Sequence, residues 1–282
     1  MEDELKKTVL DVCAAAEKLE IRVVLVGALA AQFSPEIGAD YPKFHGTNDA
    51  DFGVSVRDWD AYKKLFDELL AQNFKPNSLI EHRLHRGEAM VDLIPYGAQI
   101  APDGKLVWPQ SGSEMTVTGF DEVCAAAHLV AGANTTPVPV ITAAGFVLLK
   151  IISYLERKEQ GQVKCRSDAK DIEYWLRNFA SGTEDERRYS LVGRAGLAHQ
   201  DYATAGAVLL GLEVGKLASP GSAVFVVRFL KESEDLYSPF MDAVASGQLE
   251  EEAAKKKRSE GQALLAAFKK GYESARHLGS NL

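Results

Sequence analysis

The sequence predicts an α/β fold: a unit with a small mixed sheet and flanking helices over residues 1–140, followed by a helical C-terminal region. Three observations lead there. Asp49-Ala50-Asp51-Phe52-Gly53-Val54-Ser55-Val56 alternates polar and apolar residues with the period of a half-buried strand. Val23-Val24-Leu25-Val26 is a short apolar run halted by Gly27, the pattern of a buried strand. Beyond residue 140 the apolar residues recur mostly at helical spacing.

Composition narrows the class. The 282 residues are 46% hydrophobic and 26% charged, with 10 prolines and a net charge of −8, which excludes disordered, collagenous and disulfide-framework chains. Cys13, Cys124 and Cys165 are odd in number and far apart, so they read as small core residues or spectators. No long uncharged apolar run reads as a membrane span, and the acidic opening does not read as a leader; the expectation is a cytosolic protein without a membrane partner. An acidic protein does not coat nucleic acid non-specifically, so any nucleic-acid contact is local. The basic run Lys255-Lys256-Lys257-Arg258 follows Glu250-Glu251-Glu252 at helical spacing and reads as a solvated helix.

Taken in order, Leu5, Val9, Val12, Ala16 and Leu19 share one helix face, the 23–26 strand feeds a glycine turn, and 28–33 is a short helix. Residues 34–46, with two prolines and two glycines, read as a loop before the 49–56 strand. Residues 59–70 form an amphipathic helix. Residues 80–86 and 89–94 form a hairpin around Gly87, stopped by Pro95-Tyr96-Gly97. Helices follow over 142–158 and 167–179, the second capped by Ser167. Ser181-Gly182-Thr183 makes a break, Thr183 and Glu186 form a capping box, and helices continue over 203–217, 224–230 and 250–275. The expected organisation is 1–140, a helical extension 141–180, and a helical domain 181–282.

The alternation of the 49–56 strand puts Asp49 and Asp51 on the face opposite Ala50, Phe52 and Val54. Two such carboxylates repel unless solvent or a cation lies between them; an acidic, solvated strand end is the plainer reading. Asp92 interrupts the apolar run 89–94 and needs a partner, because an unpaired buried carboxylate costs several kcal/mol. Three carboxylates from two strands suit an oxygen-loving ion such as Mg²⁺; pairing of Asp92 with Arg83, Arg86 or Lys43 is the alternative. Gly27-Ala28 at a strand end can cradle a phosphate, or be an ordinary turn. Lys150, Tyr154 and Arg157 fall on one helix face, suited to phosphates or simply exposed. Asp168 and Asp171 lie in the first turn after Ser167, where the helix dipole favours acids.

Gly27-Ala28, Asp49-x-Asp51 and Asp92 together resemble the signature of the DNA polymerase β-like nucleotidyltransferase superfamily. That signature is a hydrophobic residue followed by Gly-Gly or Gly-Ser at a strand end, Asp-x-Asp on the next strand and a third acid on a neighbouring one. His45-Gly46-Thr47-Asn48-Asp49-Ala50-Asp51 is similar to the Arg-x-Thr-x-Asp-x-Asp form of the abortive-infection (AbiE-type) toxin branch. Lys150, Arg157, Asp168, Lys170 and Asp171 resemble that branch's later helical motifs. Ala28 stands where the family has Gly or Ser, His45 where it has Arg, and the gap from Ala28 to Asp49 is longer than usual, as for a flap.

The resemblance implies a nucleotidyltransferase domain moving an NMP from an NTP such as ATP to an acceptor hydroxyl, with pyrophosphate leaving. It implies Mg²⁺ or Mn²⁺ on Asp49, Asp51 and Asp92 as the catalytic cluster. Nucleotide contacts are expected from Gly27, Ala28, Thr47, Lys150, Arg157, Asp168, Lys170 and Asp171. RNA, tRNA first, is the implied acceptor, with a toxin-like role and a cognate antitoxin. A protein hydroxyl or a small molecule would use the same cluster. Ala28 and His45 motivate the other reading, a catalytically inactive nucleotide-binding or regulatory homologue.

Overall fold

The computed structural model describes residues 2–33, 47–131, 136–182, 185–191 and 201–279. The expected 34–46 loop, with Lys43 and His45, and the Thr183 half of the capping box lie outside the described residues. Two compact units are present, one running through Thr142 and one from Ala143 onward.

The first unit is a mixed α/β layer structure. In chain order it contains α1 (Glu2–Lys18), β1 (Arg22–Val26), α2 (Gly27–Phe33), β2 (Asp49–Ser55), α3 (Trp59–Ala71), β3 (Lys75–Pro76), β4 (Arg83–Arg86) and β5 (Ala89–Tyr96). A short 3-10 turn leads to β6 (Lys105–Val107) and β7 (Glu114–Thr116), then α4 (Phe120–Ala125), β8 (His128–Val130) and β9 (Val138–Val140). Seven strands form one sheet in the order β3-β4-β5-β2-β1-β9-β8, and β6 pairs with β7 separately. β2 runs antiparallel to β1 and parallel to β5.

The alternation read from β2 is realised. Ala50, Phe52 and Val54 are fully buried, in register with Leu25, Val91 and Leu93 of the adjacent strands, and Asp49 and Asp51 on the other face are partly exposed. α1 packs against α3 and against β1, β5 and β9, burying Val9, Val12, Leu65 and Leu69. Asp58 caps α3 by accepting the Ala61 amide hydrogen at 2.7 Å.

The predicted hairpin needs two corrections. Its first strand starts at Arg83 rather than residue 80, because Ile80 belongs to a turn held by the Asn77 side chain. β5 continues through Pro95 and Tyr96 and stops only at Gly97, whose φ is +126°. Leu93 donates to His82, so the amide side of Pro95 faces the stretch beyond the start of β4. Proline there forfeits no ladder bond.

The second unit is helical: α5 (Ala143–Glu159), α6 (Cys165–Asn178), α7 (Arg187–Leu191), α8 (Tyr202–Leu217), α9 (Pro220–Leu230), α10 (Pro239–Ala245) and α11 (Glu251–Gly279). α5 and α6 belong to the same compact unit as α8–α11. Trp175, Phe179, Tyr154, Phe229 and Phe240 form its aromatic core, with Tyr154, Phe229 and Phe240 meeting edge to face. Ser219-Pro220 and Ser238-Pro239 start α9 and α10, each serine accepting an amide from the first turn with proline at the first helical position. Ser167 is not a cap: α6 begins at Cys165 after a turn over 162–165, which leaves Ser167 inside the helix.

α8 and α11 touch backbone to backbone. A Cβ on Gly211 would stand 2.1 Å from the Phe268 carbonyl oxygen, and one on Gly271 would stand 2.0 Å from the Val208 carbonyl oxygen. Each helix thus seats a carbonyl of the other where no side chain fits.

Candidate active site

Register alone assembles the acidic site. Asp51 is the partner of Val26 across β1–β2 and of Asp92 across β2–β5, and Asp92 is the partner of Arg83 across β4–β5. Register partners on adjacent strands point to the same face, about 4.8 Å apart. Asp51, Asp92 and Arg83 therefore form a row across three strands, with Asp49 one pleat away on the same face.

Gly27 closes the row at the β1 end. Its φ is +70°, a conformation that L side chains rarely adopt, and a Cβ there would stand 1.9 Å from Asp51 Oδ2. The glycine is required because the Asp51 carboxylate fills that volume. Ala28 follows, partly exposed, within the short helix α2. Thr47 lies at the other end of the acidic segment, where its Oγ1 accepts the Asp49 amide at 3.0 Å and fixes the entry into β2.

Asp92 has the partner its burial demands. Arg83 Nε donates to Oδ1 and its terminal nitrogen to Oδ2, both at 2.7 Å, a bidentate fork. Of the three counter-ions weighed for Asp92, the structure selects Arg83; Arg86 pairs instead with Asp11. The hydrogen bond to Asp92 holds the Arg83 guanidinium above its ordinary pKa against partial burial, and the charges of Asp92, Asp49 and Asp51 add to this. One arginine thus answers to all three acids of the row.

The outer flank of Asp92 carries His82 and Trp108, which stand outside the expected set. His82 Nε2 stands 3.8 Å from Asp92 Oδ2, and its ring stacks on Trp108 with centroids 4.9 Å apart. Burial pulls the His82 imidazole below its ordinary pKa; Asp92 and Glu81 oppose this and Arg83 adds to it. Glu81 accepts the amides of Gln110 and Ser111, pinning the turn that carries Trp108. Trp59 and Tyr62 complete the aromatic wall. His82 and Trp108 were unreadable because their meeting depends on the β6–β7 hairpin, which has no strong period.

The remaining expected residues lie in the helical unit and form a cluster of their own. Lys150 Nζ donates to Asp168 Oδ1 at 3.1 Å and lies 2.7 Å from Asp171 Oδ2, while Arg157 donates to Asp168 Oδ2. Asp168 is fully buried and Asp171 nearly so. Burial pulls the Lys150 ammonium down, yet Asp171 and Asp168 outweigh it and hold the group above the ordinary lysine value. Two cations thus face two anions. Tyr154, on the same helix, is fully buried, and Lys170 is exposed.

Among the described residues, no group of three or more His, Cys, Asp or Glu side chains is arranged to hold a metal ion together, and no helix is long and apolar enough to cross a membrane. Mg²⁺ usually takes only one or two carboxylates, completing its shell with water and substrate phosphate oxygens. Asp49 and Asp51 fit that donor set, on one strand face with Gly27 leaving room; both oxygens of Asp92 are engaged by Arg83.

No family model matches the chain, and no curated protein matches it. Solved structures similar to it in part include two nucleotidyltransferase-type proteins of low identity. One is the crystal structure of an antigenic nucleotidyltransferase-like protein from Paracoccidioides brasiliensis, 18% identical over 84% of this chain and 92% of that one, with a TM-score of 0.44. The other is the solution structure of the antibiotic-resistance factor ANT(2'')-Ia, 11% identical over 61% of this chain and 83% of that one, with a TM-score of 0.36.

Proposed function

We propose that the chain is a divalent-metal-dependent nucleotidyltransferase whose site is the row Gly27, Asp51 and Asp92 with Asp49 beside it. The observation that carries this reading is the fit of Asp51 into the space kept by Gly27. A merely solvated acidic strand end has no need of a glycine in a disfavoured conformation against one of its carboxylates. Asp49 and Asp51 would hold Mg²⁺ or Mn²⁺ together with the triphosphate. When bound, the ion neutralises phosphate charge and lowers the pKa of the acceptor hydroxyl.

The protein's own residues do the positioning. Gly27, without a side chain, lets the Asp51 carboxylate lie against the turn at the end of β1. Thr47 fixes the strand entry, so that Asp49 and Asp51 project in parallel. Arg83 holds the Asp92 carboxylate in one orientation at the acceptor side of the row. An acceptor oxygen attacks the α-phosphorus in line, the bond to the β-phosphate oxygen breaks, and pyrophosphate leaves. RNA ends, tRNA first, are the acceptors to assay, followed by protein and small-molecule hydroxyls; a toxin-like role with a cognate antitoxin belongs to the first of these.

One observation favours a second reading. Arg83 engages both oxygens of Asp92, and a carboxylate so neutralised can serve a binding module that performs no transfer. Incubation with each α-labelled NTP, Mg²⁺ and total RNA or cell lysate decides between them. Label transfer that Asp92→Ala abolishes while NTP binding persists supports the enzyme. Binding of Mg-NTP by the wild type without labelling of any acceptor supports the module.

A further inference from the structure

We propose that the tip joining α5 to α6 is a contact surface for the phosphate backbone of a nucleic acid, made by Lys164, Arg166 and Lys170. The surface lies wholly within the helical unit, and the inference goes beyond the nucleotidyltransferase reading without depending on it.

The tip is ordered by its own backbone. Gly161, at φ +66°, ends α5; its amide donates to the Lys158 carbonyl at 3.1 Å and the Gln162 amide donates to the Arg157 carbonyl at 2.8 Å. Cys165 and Arg166 then donate to the carbonyls of Gln162 and Val163, both at 3.1 Å, as α6 begins. Beneath the tip, Asp168 ties α6 to α5 through Lys150 and Arg157. Residues 160–164 are all exposed, and a Cβ on Gly161 would meet nothing within 4 Å.

Lys164, Arg166 and Lys170 are exposed, and among the described residues none of them has a carboxylate within ion-pair distance. From residue 160 to residue 170 the only acid is Asp168, which is fully buried and held by Lys150 and Arg157. The tip therefore presents three positive charges and no negative one, on a protein whose net charge is −8. The other basic run differs. Lys255 and Lys256 follow the exposed Glu251 and Glu252 by one helical turn, Lys257 lies 3.7 Å from Glu260, and Arg258 lies 3.0 Å from Asp242.

Chemistry selects the partner. Arginine and lysine suit phosphates, and the exposed Gln160 and Ser167 add neutral donors of the kind that phosphate oxygens accept. Arg166 and Lys170, one helical turn apart, share a face of α6. Val163 is the large apolar side chain exposed there, too little to anchor a protein interface or to enter a lipid surface. Residues 160–170 include no aromatic ring on which a base could stack, so the contact is to the backbone and carries no sequence preference.

The test follows the anisotropy of fluorescein-labelled oligouridylate and oligothymidylate, each twelve nucleotides long, with EDTA present and NTP absent. Failure here leaves the sheet site as it stands, and failure of Mg-NTP binding there leaves this surface as it stands. Three phosphate contacts give a single strand a log–log salt slope of about −2, so affinity should fall roughly eighteenfold between 50 and 200 mM salt. Each of Lys164→Gln, Arg166→Gln and Lys170→Gln should reduce that slope by about 0.7, and the three together should abolish it. Lys255→Gln with Lys256→Gln should leave affinity within about twofold. Absence of salt-dependent binding by the unaltered protein overturns the proposal. So do single or combined tip variants that bind as the unaltered protein does, or an equal loss from the α11 pair. Poly-glutamate that competes as well as the oligonucleotides overturns it in favour of an acidic protein partner. A preference above about tenfold for one oligonucleotide overturns it too, since backbone contacts do not discriminate.

Discussion

The two units each carry a cluster of acids and bases, built from nearly the same residue types and opposite in design. In the helical unit Lys150 and Arg157 face Asp168 and Asp171, two against two, with both acids sealed from water. In the sheet unit Arg83 forks onto Asp92, and the Asp49–Asp51 end remains partly exposed. A buried cluster is tolerable only when its charges cancel and its lone pairs are filled, so balance marks the helical set as architecture. The sheet set stays partly exposed, and it is the set proposed above to receive a cation.

The largest expected effect breaks the balanced cluster. Lys150→Met removes the ion pairs of Lys150 with buried Asp168 and Asp171 and should cost about 3–5 kcal/mol of stability, read by urea denaturation. A variant that keeps full stability but loses nucleotide affinity would instead make the helical cluster a phosphate contact. Next comes the sheet cluster: Asp49→Asn with Asp51→Asn should weaken Mg-NTP binding on the order of a hundredfold in calorimetry.

A comparable effect separates the units by metal alone. At about one hundred times its dissociation constant, Mg-NTP should stabilise the wild type by about 2.7 kcal/mol, and chelation with EDTA should remove the gain. Differential scanning calorimetry of the Asp49→Asn, Asp51→Asn variant should show no such shift. The pH dependence sharpens the contrast further. A lysine whose folded pKa is raised stabilises fully below its unfolded value, near 10.5, and loses that contribution only as pH climbs through the folded value. The stability gap between wild type and Lys150→Met should therefore stay constant from about pH 7 to 10. The smallest effect is Ser167→Ala, expected within about 0.5 kcal/mol of wild type in thermal melts. Asp168 owes its place to Lys150 and Arg157, and Ser167 caps nothing.

Much of this contrast was legible before any coordinates. The alternation of 49–56 named the face of Asp49 and Asp51, and the apolar surroundings of Asp92 required a partner, with Arg83 among those weighed. What could not be read was register: nothing local says that β2 and β5 run parallel with Asp51 opposite Asp92, since that pairing joins residues about forty positions apart. Helix spacing places Lys150 and Arg157 on one face but does not say what lies across from it, so a phosphate contact and a simply exposed face are the readings it allows, and the buried carboxylates of α6 are not among them. Ser219-Pro220 and Ser238-Pro239 were readable start signals that periodicity overshadowed, and α10 went unanticipated for that reason. The described residues of 97–141 include strands of three residues and a helix of six, too short for any period to establish itself.

The glycine contact between α8 and α11 has a mechanical consequence. Because the Phe268 and Val208 carbonyls each occupy the place of a missing side chain, the two helices are keyed lengthwise as well as face to face. Sliding by one residue would drive a carbonyl into a Cβ, and rotation would do the same, so the pair moves as one strut. A spectroscopic label on an exposed position of α11, such as Lys255 or Lys256, therefore reports α8 too, giving the helical unit a ruler that needs no residue of either charged cluster.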